Sequence, residues 1–147
     1  MNKGLTGHMP ALGVLLIVHG SLMLMMGVMI LIAAAAVVVG GLSSGEEVAP
    51  LIGASCCHVV MMLCAFIGGG LQIAGGINAY RWKNYKLVKA AIFASIAGIF
   101  TCYCWMTSVG LLVWGLIVIH DAAVKQKFET PELPEYPPPP GDTGYYA

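Results

Sequence analysis

The sequence predicts an all-α fold, an integral membrane four-helix bundle with its N- and C-termini both cytoplasmic. Three observations lead there. Of 147 residues, 59% are hydrophobic and only 10% charged, whereas a soluble domain carries about 25% charged residues. The apolar residues gather in long runs broken by short polar stretches. Finally, residues 80–89, Tyr-Arg-Trp-Lys-Asn-Tyr-Lys-Leu-Val-Lys, hold Arg81, Lys83, Lys86 and Lys89 and no acid, between two such runs. Short loops rich in Lys and Arg stay on the cytoplasmic side, so this loop sets the path of every other segment. The expected organisation is a four-span unit over 1–129, with helices at about 10–41, 51–79, 87–103 and 106–121, and a Pro/Tyr-rich cytoplasmic tail over 130–147.

The first run, 10–41, is uncharged and longer than the roughly 20 residues that cross a hydrocarbon core. Its small residues at 33–36 imitate a signal-peptide cleavage site, but signal h-regions span only about 7–15 residues, so it is read as a membrane helix. Gly13, Gly20, Gly27 and Ala34 recur every seven residues, with Ile17, Leu24 and Leu31 halfway between. This is a seam of small residues that lets helix backbones approach in lipid. Met23, Met25, Met26 and Met29 fall mostly off that seam. They are read as lipid-facing or gap-filling side chains, with a copper-binding methionine set as the alternative.

A short loop at 42–50, whose only charges are Glu46 and Glu47, belongs outside. In the second helix, Ala65, Gly68, Gly69, Gln72, Gly75, Gly76 and Ala79 form one small or polar stripe, with His58 on the same line. This face is expected at the bundle centre, with Gln72 hydrogen-bonding a neighbouring helix. The third helix shows a small face at Ala90, Ala94, Ala97, Gly98 and Thr101. A tight turn then leads to the fourth, and 121–129 continues as a polar extension. All seven Lys and Arg fall in the segments assigned to the inside. The tail has prolines at 131, 134 and 137–140, which favour an extended polyproline II chain. Tyr136, Pro137, Pro138, Tyr145 and Tyr146 are its candidate docking points for a partner.

Chemistry is sparse. No Asp or Glu lies between Glu47 and Asp121, so the acidic proton relay common in pumps is missing. No P-loop, dinucleotide fingerprint or HExxH motif is present. Net charge is zero, which offers no footprint for nucleic acid. Cys56, Cys57, His58, Cys102 and Cys104 are the candidate metal or disulfide cluster, expected at matched depth near the outer ends of helices two and three. Their CC and CxC spacing departs from usual zinc sites, and packing cysteines are the preferred reading. Two facing histidines would be needed for haem b. His19 and His58 lie at different depths, so His19 is expected to hydrogen-bond across helices and His120 to cap an end. Trp82, Trp105, Tyr80, Tyr85 and Tyr103 cluster at helix ends as an interfacial aromatic belt.

The second half resembles a group of small four-helix bacterial integral membrane proteins of uncharacterised function. The matching parts are Gly75 and Gly76, the Arg-x-x-x-Tyr element from Arg81 to Tyr85, the Ala/Ile-rich run 90–104, the run 110–116 and Val124 to Phe128. Trp114 preceding Gly115 departs from that pattern. The first half is loosely similar to CD20-like four-span proteins. Both resemblances imply four spans and neither supplies an activity. The expectation is therefore a non-catalytic membrane subunit of a bacterial inner membrane or plasma membrane, without cofactor. It would pack through its Gly/Ala faces against itself or other subunits. The alternatives are an oligomeric channel or small-solute carrier, and a haem- or metal-bearing electron-transfer subunit.

Overall fold

The computed structural model describes residues 4–44, 48–100 and 105–130. These residues are all-helical. A 3-10 turn at Thr6–His8 leads into α1 (Met9–Ser44), followed by α2 (Val48–Tyr80), α3 (Tyr85–Phe100), α4 (Trp105–Ile119) and α5 (Ala122–Glu129). Two segments are long and apolar enough to cross a membrane, Thr6–Ser44 and Ser55–Tyr80. The described parts of α3 and α4, 16 and 15 residues long, adjoin residues 101–104, which lie outside the described set. Counting α4 and α5 as one segment bent by 70° gives a third. Among the described residues, two of the four expected spans, or up to three, are thus long and apolar enough to cross a membrane.

α1 packs along α2 over most of its length, α2 carries α3, and α3 carries α4, while the α1–α4 side is sparsely packed. Glycine sets the α1–α2 approach. A methyl group on Gly20 would lie 2.7 Å from the Gly69 carbonyl oxygen, and one on Gly69 would lie 2.7 Å from that of Gly20. One repeat toward the N-terminus, Gly13 and Gly76 stand in the same reciprocal relation. Gly27 meets Ala65 and Phe66, and Ala34 is half-buried near the far end. Backbones this close favour weak Cα–H···O contacts between helices.

The small stripe of α2 is buried from Ala65 to Ala79. Gly68 faces Ala97 and Ala94, and Gly75 faces Ala91. Two sequence expectations need correction here. Ala91 is buried where Ala90 was expected, and Ala90 is exposed. A helix turns 100° per residue, so neighbouring alanines offer nearly equal small faces and only the partner chooses between them. Leu31 is likewise exposed, whereas Met23 and Ile30 are buried. α1 has a second inward face, Met9, Leu12, Leu16, His19 and Met23, turned toward the interior that α3 and α4 complete. Met9, Leu12 and Leu16 join Val88, Ile92, Val118, Ile119 and Val124 in one core.

The polar extension after α4 is helix α5. The Asp121 side chain starts it by accepting hydrogen bonds from the Ala123 and Val124 amides. α5 turns back across the basic loop, where Trp82 and Asn84 take left-handed backbone conformations (φ 53° and 46°). Phe128 packs on both Trp82 and Tyr85, and the Lys127 ammonium sits over the Trp82 ring. Trp82 and Tyr85 are therefore held by a neighbouring helix, in addition to any interfacial role. Removing the cap with Asp121→Ala should cost about 1 kcal/mol. Hydrogen exchange should show faster exchange at the α5 amides, with α1 and α2 unchanged.

Candidate functional site

Four buried polar side chains, one from each of α1 to α4, form a single hydrogen-bonded chain. His19 Nδ1 lies 2.7 Å from Gln72 Oε1, Gln72 Nε2 lies 3.1 Å from Ser95 Oγ, and Ser108 Oγ lies 3.2 Å from His19 Nε2. Gln72, Ser95 and Ser108 are fully buried and His19 is 4% exposed. An amide oxygen only accepts, so Nδ1 carries the imidazole proton and Nε2 accepts from the Ser108 hydroxyl. The Gln72 amide then donates to Ser95. Glycines lie against His19, Gln72 and Ser108. A side chain at Gly98 would run into the Ser108 hydroxyl, and one at Gly20 would come within 3.0 Å of Gln72 Cβ.

The order Ser108, His19, Gln72 imitates a serine–histidine–acceptor relay. Two features separate it from a nucleophilic site. The third member is a neutral amide, which cannot stabilise an imidazolium as a carboxylate does. The serine is also enclosed, with no exposed surface at which a reactant could meet it. What this arrangement can do is lock the relative depth and rotation of four helices at once, because buried polar groups must find partners.

The other predicted residues are scattered. Cys56 and Cys57 are exposed and Cys64 is half-buried; all three are free thiols, so the disulfide alternative is not realised at these positions. Cys102 and Cys104, together with the tail residues Tyr136, Pro137, Pro138, Tyr145 and Tyr146, lie outside the described residues. The matched depth expected between Cys56, Cys57 and His58 and the pair Cys102 and Cys104 thus involves residues outside those described. Among the described residues, no group of three or more His, Cys, Asp or Glu side chains is placed to hold a metal ion. His58 instead lines a small cavity with methionines of both long helices. Ser55, three residues before it, has a buried hydroxyl without a hydrogen-bond partner.

Of the basic residues, Arg81, Lys83 and Lys86 are exposed around the α2–α3 turn and Lys89 is half-buried one turn into α3. His120 Nδ1 donates to the Leu116 carbonyl at 2.9 Å and closes the end of α4. Ser95 and Ser108 complete the chain around His19 and Gln72. No sequence signal marks them, since each sits as an ordinary small residue among alanines and glycines.

No protein-family model, curated protein or solved structure was found to match this chain. The reading of function therefore rests on the residues and their geometry.

Proposed function

We propose that the chain is a non-catalytic integral membrane subunit, a four-helix bundle seated in a bacterial inner membrane or plasma membrane with both termini cytoplasmic. Its role is structural or accessory, in a homo-oligomer or a larger membrane complex. The observation that supports this best is the division of its polar groups. Those between the helices bond to one another, while the outer surface of α1 and α2 is lined by exposed Val, Leu, Ile and Met. Such a surface suits lipid or another apolar helix, and little polar chemistry remains for a substrate. Charge supports the orientation: Arg81, Lys83, Lys86, Lys89, Lys125 and Lys127 gather at the end where α5 folds over the α2–α3 turn, as positive-inside sorting requires.

One part of the sequence expectation shifts. The glycine faces were assigned to association between subunits, but Gly13, Gly20, Gly68, Gly69, Gly75, Gly76 and Gly98 all press on groups of this same chain. Contact with partners is assigned instead to the exposed outer faces of α1 and α2 and to the tail. An oligomeric channel is the second reading, and it is weakened because Gln72 and Ser108 are enclosed inside the protomer. A haem subunit is weaker still, because both ring nitrogens of His19 are already hydrogen-bonded. Native mass spectrometry of the protein gently extracted from its own membrane tests the proposal. Foreign subunits in fixed stoichiometry, or a closed homo-oligomer, are expected, and a monomer under every mild extraction would overturn it.

A further inference from the structure

Between α1 and α2 lies a cavity of about 220 Å³ lined by Met26, Met29, Ile30, Ala33, His58 and Met61. Its donor atoms are three thioethers and one imidazole. They come as two pairs at i, i+3, Met26 with Met29 on α1 and His58 with Met61 on α2. Residues at that spacing project from one side of a helix. Two facing helices that each contribute such a pair are a common way to build a metal site inside a helical protein.

We propose that this cavity binds a single soft monovalent cation, Cu(I), through the sulfurs of Met26, Met29 and Met61 and a ring nitrogen of His58. The donor set selects the ion. Thioether sulfur and imidazole suit Cu(I), whereas Mg²⁺, Ca²⁺ and Mn²⁺ require oxygen ligands, and among the described residues no carboxylate lines the space. Zn²⁺ would bring two positive charges to four neutral donors, with no thiolate to offset them. A monovalent ion brings half that charge, and its burial cost, which rises with the square of the charge, falls further still. The side chains also allow entry. Met26, His58 and Met61 are half-buried and Met29 is 58% exposed, and methionine's three rotatable bonds let a sulfur swing inward as an ion arrives. This inference stands apart from the accessory-subunit reading, and neither depends on the other.

The test uses the full chain in detergent, purified without a polyhistidine tag. Cys56, Cys57, Cys64, Cys102 and Cys104 are all replaced by serine, so that thiols cannot supply the binding. Cu(I) is titrated anaerobically against a chromogenic chelator. One Cu(I) per chain is expected, with X-ray absorption reporting sulfur and nitrogen neighbours. Met26→Leu, Met29→Leu and Met61→Leu together should weaken binding at least tenfold, and so should His58→Gln. Met25→Leu should leave it unchanged. Leucine keeps methionine's volume, and circular dichroism with a thermal melt checks that each variant is folded. The proposal is overturned if the cysteine-free protein retains no Cu(I). It is equally overturned if the triple leucine variant binds like its parent, or if Zn²⁺ competes at equal concentration.

Discussion

Gly20→Ala is expected to destabilise the protein by roughly 2–3 kcal/mol, in the range of overpacking a tight interface. The added methyl would sit 2.7 Å from the Gly69 carbonyl oxygen and 3.0 Å from side-chain atoms of Gln72 and Ile73. Backbone oxygen cannot rotate away, so α1 and α2 must separate. Gly20→Leu should prevent the pair from docking at all. The comparison that isolates the cause is Gly70→Ala, also mid-helix in α2 but with open space around its added carbon. There alanine should be neutral or mildly stabilising through its higher helix propensity. Thermal unfolding in mild detergent measures both. Equal effects at Gly20 and Gly70 would mean that close backbone approach contributes nothing.

His19→Leu is the second large effect, at about 3 kcal/mol. It removes two hydrogen bonds and leaves Gln72 Oε1 and the Ser108 hydroxyl buried without that partner, each at about 1–3 kcal/mol in protein interiors and somewhat less within membranes. His19→Gln, which can donate and accept, should recover part of the loss. Coupling is the sharper readout. In a double-mutant cycle, His19→Leu and Gln72→Leu together should cost clearly less than their separate costs added, because the second change removes a group the first had stranded. Strict additivity would show that the two side chains do not depend on each other.

These two sites differ in how far they could be read from the sequence. The spacing of Gly13, Gly20 and Gly27 is visible because a close helix contact needs a small residue once per heptad, and few other pressures produce that regularity. The α2 stripe is visible for the same reason, and it carries Gln72 with it. The partners of Gln72 are a different matter. Which histidine it meets depends on the register of an antiparallel pair, and no local pattern encodes register in a helix whose sides are all apolar. Ser95 and Ser108 are harder still, because a serine that joins a network looks the same as one that fills space. α5 is hard to read because a short stretch carrying Lys125, Gln126, Lys127 and Glu129 after an apolar run looks like an exit to water. The Asp121 side chain and the aromatic ring of Phe128 turn it into a helix folded over the loop.

The order of the helices along the chain also bears on how the protein comes into being. α1 and α2 are made first, and their glycines match over most of their length without help from the remaining chain. The first hairpin can therefore settle while the ribosome is still working, with His19 already joined to Gln72. One imidazole nitrogen and one amide group of that pair are then left without their native partners. Ser95 and Ser108 arrive last and answer them. The second hairpin is thus recruited by an unmet demand for hydrogen bonds at one depth and one azimuth, in surroundings where an apolar surface alone would give it no preferred docking position.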